Sequence, residues 1–151
     1  MRTLTALGCL FTLMLCSATP AGAMVQIDRG IAGARLGASR AAVKAALGSP
    51  TSTKSGSNDF GPYVRYRFAG GLTVLFQGKQ KVSSVQTTGL GDRTSQGVGV
   101  GSTQAEADAL PGVKCESGSC HTGAFLPGKK VTDFTIAGGK VTRVTVAIVI
   151  D

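Results

Sequence analysis

The stretch Val141-Thr142-Arg143-Val144-Thr145-Val146-Ala147-Ile148-Val149-Ile150 constrains the fold more than any other. Read as a strand, it puts Val144, Val146, Ile148 and Ile150 on one face and Thr145, Ala147 and Val149 on the other. Towards its end it is apolar on both sides, and such a strand needs cover on both faces or a central place in a sheet. Working backwards, Val131 to Ile136 reads as its hairpin partner, and Val113 to Cys115 with Cys120 to Leu126 reads as a further hairpin. Upstream, Tyr63 to Phe68 alternates charge with rings after Val64, Leu72 to Phe76 is nearly all apolar, and Val82 to Thr87 alternates again. Gly70-Gly71 and Gly78 sit where these segments must turn, which makes them a meander.

Each group of strands follows a short helical signal. The first is Leu36-Gly37-Ala38-Ser39, with Ser39 as N-cap, apolar residues Val43 and Leu47 at helical spacing, and Gly48 and Pro50 as stops. The second is Val100-Gly101-Ser102-Thr103, followed by Ala105 to Leu110 with Glu106 and Asp108 near its start, where they suit the helix dipole. Lys81-Val82 and Lys140-Val141 then recur in the same relative place. The expected fold class is therefore α+β: two tandem repeats, each a short helix followed by an antiparallel meander, packed together to share burial. The first repeat spans residues 24–88, the second 100–151, and a glycine-rich linker covers 89–99. The polar run Thr51 to Asn58 (TSTKSGSN) has no periodicity and reads as an exposed loop.

The compartment is read from the N-terminus. Arg2, an apolar run from Ala6 to Cys16 and the Ala21-Gly22-Ala23 signature form a signal peptide over residues 1–23, cut after Ala23. Its apolar core is shorter than the about 20 residues that span a bilayer, so an exported protein with no stable membrane span is expected, secreted or held in the cell envelope. Leu15 is larger than the residue that normally precedes a lipidated cysteine, which argues against acylation of Cys16. Cleavage leaves Cys115 and Cys120 as the remaining cysteines, and an oxidising compartment makes a disulfide between them the default.

The chain carries 16 basic against 8 acidic side chains, the excess spread along its length. That composition suits either a charged, soluble surface or contact with anionic polymers or lipid head groups. Nucleic acid is not expected: the chain has no tryptophan and few other rings on which bases would stack. His121 is the sole histidine, so neither a metal set nor a histidine-based nucleophile is expected. The run Gly97-Val98-Gly99-Val100-Gly101 lacks the lysine and hydroxyl of a phosphate loop. No cofactor and no enzymatic activity are expected.

The pattern Gly-x-(Ser/Thr), a stop of Leu47-Gly48-Ser49-Pro50, then Lys81-Val82, and the second copy of Gly101-Ser102-Thr103 and Gly139-Lys140-Val141, resembles the small helix-plus-sheet module of the BamE/SmpA lipoproteins and of tandem β-lactamase inhibitory proteins. In the second copy Leu110-Pro111-Gly112 replaces the usual stop. The resemblance implies a non-catalytic protein that presents a sheet face and loops to a protein partner, and a monomeric or weakly associating chain is expected. It also implies that Asp59 and Phe60, with Tyr63 nearby, occupy the place of an inhibitory hairpin, although an acidic residue beside a ring also occurs in ordinary turns. Three functions follow as expectations: recognition of a protein through the segments 51–63 and 117–127 and a sheet face, electrostatic association with cell-wall or membrane anions, or inhibition of a secreted hydrolase.

Overall fold

The computed structural model describes residues 22–78 and 80–150. Apart from Gly22 and Ala23, the signal-peptide segment lies outside the described residues. Three two-residue strands, β1 (Val25–Gln26), β2 (Gly30–Ile31) and β3 (Ala34–Arg35), form a small antiparallel sheet and lead into α1 (Arg40–Leu47). Then come β4 (Ser52–Asn58), β5 (Gly61–Arg67), β6 (Thr73–Gln77) and β7 (Lys81–Thr87). After a turn-rich segment follow α2 (Gln104–Asp108), β8 (Val113–Glu116), β9 (Ser119–Thr122), β10 (Lys130–Ala137) and β11 (Lys140–Ile148).

These eight longer strands form one antiparallel sheet in the order β4-β5-β6-β7-β11-β10-β9-β8. The expected α+β fold of two helix-plus-meander repeats packed on one another is thereby overturned. The protein is mostly β, with the strands in a single continuous sheet beside the small β1–β3 sheet. The cause is the pairing of β7 with β11, in which Gln86 faces Thr145 and Val85 faces Val146. Two separate meanders would each leave these strands as open edges with unpaired N–H and C=O groups, and joining them satisfies both rows at once. β11 thus takes the central position that its two apolar sides require.

The second correction concerns Thr51 to Asn58, expected as a loop, of which Ser52–Asn58 is the edge strand β4, all seven residues exposed. Its serines and glycine have low strand propensity, but the ladder to β5 supplies the backbone bonds that propensity does not. The turn that closes the hairpin is tied locally. Asn58 Oδ1 accepts the Phe60 N–H at 3.1 Å, and Gln77 Nε2 donates to the Phe60 and Gly61 carbonyls at 2.9 and 3.0 Å. Gly61 takes a φ of 92°, a left-handed value that glycine adopts without strain.

One face of the large sheet is the core. Tyr66, Val74, Phe76, Val82, Val85, Phe134, Val144 and Val146 are buried there with Val64, Cys120 and Val141. Tyr66 and Phe76 meet edge to face at 4.9 Å. The helix α1 lies over them, with the Arg40 guanidinium 6.0 Å from the Phe76 ring and Lys44 Nζ 5.5 Å from the Tyr66 ring, and it buries Val43 completely. Ser39 caps it by accepting the Ala42 N–H at 3.2 Å. The short α2 carries a full capping box, Thr103 with Glu106. The Thr103 N–H and hydroxyl hold the exposed Glu106 carboxyl below its ordinary range.

Beside α1 the small sheet, packed on β7 and β11, closes the core with Val25, Ile31 and Ala34. Buried polar contacts fasten it. Asp28 Oδ1 accepts the hydroxyls of Thr122 (2.6 Å) and Thr132 (2.9 Å), while the Asp28 N–H donates to Thr132 Oγ1 at 2.7 Å. Near the other end, the buried Asp92 carboxylate accepts the Ala23 N–H at 2.8 Å and the Thr87 hydroxyl. Removing Asp28 leaves Thr122 and Thr132 with fewer partners in a site where both are buried. We expect Asp28→Ala to destabilise the protein by roughly 1–3 kcal/mol, read as a lowered midpoint in urea denaturation with an unchanged slope.

Candidate functional site

Among the described residues the opposite face of the large sheet carries no helix, and its side chains are half-buried or exposed along β4 to β6 and β9 to β11 apart from Val131 on β10, which is buried. Strand alternation decides which residues appear there. On β5 they are Tyr63, Arg65 and Arg67, on β6 Thr73, Leu75 and Gln77, and on β4 Ser52, Lys54 and Gly56. Lys54 stands directly opposite Arg65, and Ser52 opposite Arg67. Continuing across the sheet, Arg65 faces Leu75 and Arg67 faces Thr73, so the cross-strand neighbours of these cations include no acid.

Like charges directly opposite one another in an antiparallel pair are destabilising. Lys54 and Arg65 form such a pair, with Arg67 two residues along the same face. The cations surround two shallow hollows. One of about 190 Å³ is lined by Ser52, Lys54, Arg65 and Arg67, and one of about 250 Å³ by Arg65, Arg67, Thr73, Leu75, Ser84 and Gln86. Tyr63 bounds the patch. Its ring lies against Gly56, where a Cβ would sit 2.7 Å from the Tyr63 hydroxyl, and the Arg65 guanidinium stands 5.6 Å from the ring centroid.

The other half of the face differs. Gln86, Thr145, Asp133, His121 and Lys114 follow one another across the strands. The Asp133 carboxylate accepts the hydroxyls of Ser119 and, at 3.1 Å, Thr135. Arg143 Nε donates to Thr135 Oγ1 at 3.4 Å. The His121 ring lies tilted against Phe125, centroids 4.7 Å apart, and sets Nδ1 3.2 Å from the Gly123 carbonyl oxygen. Among the described residues no group of three or more His, Cys, Asp or Glu side chains could hold a metal ion.

The residues singled out from the sequence are dispersed. Asp59 and Phe60 form the exposed turn between β4 and β5, and Tyr63 lies further along β5 on the open face. Phe60 is 48% exposed and borders a groove of about 290 Å³ at the sheet end with Val82, Ile148 and Ile150. Cys115 and Cys120 are disulfide-bonded across the β8–β9 hairpin, their Cα atoms 3.9 Å apart. The segment 117–127 accompanies β9, six strands from β4, which at about 4.8 Å per strand is roughly 29 Å. The two segments expected to bind together thus lie apart. Sequence reading missed the cluster of Lys54, Arg65 and Arg67. The alternation of charge with rings from Tyr63 to Arg67 was its visible trace, but placing Lys54 beside it required β4 to be a strand.

Exchange of Lys54 for an acid converts the repulsive pair into an attractive one. Lys54→Glu is expected to raise stability by about 0.2–1 kcal/mol at low salt, with the gain shrinking at high salt, measured by thermal or urea denaturation.

No family model matches this chain, and no curated protein does. Among solved structures it is similar to the uncharacterized protein YfeY from Escherichia coli, at 13% identity and a TM-score of 0.51, over 83% of this chain and 99% of that one. An extracellular protein containing a SCP domain, from Bacillus anthracis, aligns at 12% identity and a TM-score of 0.46, over 75% of this chain and 44% of that one. What the likeness to YfeY establishes is the fold alone: the architecture of this chain occurs in another solved protein of nearly matching extent.

Proposed function

We propose that this is an exported, non-catalytic binding protein that recognises an acidic patch on a protein partner through the basic half of its open sheet face. The observation that carries the reading is the opposition of Lys54 and Arg65 beside Arg67. A pairing that costs stability, on a part of the sheet that no other element among the described residues covers, fits a surface whose charges are completed by a partner. Export is supported by the Cys115–Cys120 disulfide, which a reducing cytosol would open, and by the Ala21-Gly22-Ala23 signature. Resemblance to the BamE/SmpA lipoproteins and the tandem inhibitors, drawn from short motifs, agrees with presentation of a sheet face to a protein.

A binding face of this kind works by electrostatic complementarity. The cations steer an acidic surface and set its register, while Tyr63 and Leu75 supply flat apolar area between them. The test is capture from secreted and envelope fractions with the wild type and with Arg65→Glu/Arg67→Glu. The expected result is one partner held at moderate salt by the wild type and lost by the double variant. Release of everything at moderate salt instead indicates association with wall or membrane anions, since such exposed attraction is screened beyond about 8–10 Å. Equal capture by both proteins removes the reading.

A second reading rests on Phe60, a ring 48% exposed at the tip of a tied hairpin. An inhibitor of a secreted hydrolase would insert it beside Asp59. In that case Phe60→Ala and Asp59→Ala each weaken inhibition of the target hydrolase at least tenfold while the melting temperature stays within a few degrees, and equal potency rejects the idea.

A further inference from the structure

The sheet has one long uncovered edge. Among the described residues β4 bonds to β5 on one side and has no strand on the other, and its seven residues are exposed and contain no proline. The direction of its free groups follows from the neighbouring ladder. The Gly78 N–H donates to the Pro62 carbonyl at 3.0 Å, so Pro62 directs its backbone towards β6. By the two-residue alternation of an antiparallel strand, Val64 and Tyr66 do the same, and Tyr63, Arg65 and Arg67 bond to β4. Their partners Gly56, Lys54 and Ser52 therefore point inward, and Thr53, Ser55 and Ser57 turn their N–H and C=O groups to solvent.

We propose that β4 receives an added strand: an extended acidic segment of the partner pairs with Thr53, Ser55 and Ser57, and sets alternate carboxylates on the open face beside Lys54, Arg65 and Arg67. This deepens the binding reading above and rests on it. Strand addition takes affinity from backbone bonds and specificity from alternate side chains. Here the alternate side chains of an incoming strand fall on the same face as Lys54, at the mouth of the hollow lined by Ser52, Lys54, Arg65 and Arg67. That hollow is lined by three cations and a serine, so the complementary strand carries glutamate or aspartate at every second position. A second copy of the chain is the wrong occupant, because β4 against β4 adds another Lys54, Arg65 and Arg67 to the same face. An edge lysine normally discourages pairing; a carboxylate opposite it reverses that effect.

The test uses a fluorescent peptide of four Glu-Thr repeats and a control of the same composition with the glutamates in one block, with binding followed by anisotropy. The alternating peptide is expected to bind at least tenfold more tightly than the block peptide. Ser55→Pro removes an outward N–H without touching the β4–β5 ladder, a substitution edge strands tolerate, and is expected to weaken binding at least tenfold. Two further peptides, N-methylated either at every glutamate or at every threonine, need no variant protein: one is expected to bind as the parent does and the other not at all. Failure of the alternating peptide to outbind the block peptide overturns strand addition, as does equal binding by both methylated forms. Full binding to folded Ser55→Pro alongside loss in Arg65→Glu/Arg67→Glu also overturns it, and leaves the basic face as a surface for some other acidic shape. Binding unaffected in either variant sinks both. Self-association of the wild type that Ser55→Pro abolishes assigns β4 to a second copy and likewise rejects the acidic strand.

Discussion

The pairing of β7 with β11 is the contact on which the rest of this protein depends. It joins two four-stranded groups into one eight-stranded sheet and places Val85 and Val146, both buried, across from each other at its centre. Hydrophobic burial alone would allow two sheets stacked face to face. Backbone hydrogen bonding decides otherwise, because each meander ends in a strand whose N–H and C=O groups need partners. Once the two strands pair, the number of open edges falls and the core becomes a single apolar face.

From that choice the distribution of chemistry follows. A single sheet has two faces, and the elements available to cover them, α1, α2 and the small β1–β3 sheet, suffice for one. Their placement is enforced by Val43, Ile31 and Ala107 in the apolar layer and by the acids Asp28 and Asp92, each accepting from threonines of the large sheet. Most of the opposite face remains in water, Val131 on β10 being the buried exception. Its strands alternate as half-covered sheets do, and its side chains are free to serve recognition.

The placement of charge on that face runs against the stability of the sheet. Two cations face each other across β4 and β5, with a third beside them, whereas the carboxylate of Asp133 on the other half is engaged by Ser119 and Thr135. Local choices that oppose the global fold concentrate where a protein meets something else. The edge strand β4 has outward backbone groups and, Lys54 apart, short polar side chains. Charge and free hydrogen-bonding groups therefore coincide in one corner of the sheet.

Much of the local structure was legible in the residues. Ser39 and Thr103 cap the helices expected from them, Gly78 turns the β6–β7 hairpin, and Cys115 and Cys120 form the disulfide expected from their isolation. These depend on neighbours within a few positions, so composition and spacing carry them. The need of Val144 to Ile150 for a central place was also written in its two apolar sides. The strand that would satisfy it was not, since Val85 and Val146 are brought together only by the folded chain. The same holds for β4, whose serines and glycine look like a loop until the β5 ladder orders them, and for the cluster of Lys54 with Arg65 and Arg67. The sequence by itself determined the caps, turns, disulfide and alternating strands; the tertiary structure decided which strands pair, and with that which charges meet, because pairing between distant segments depends on satisfying backbone groups that all residues share.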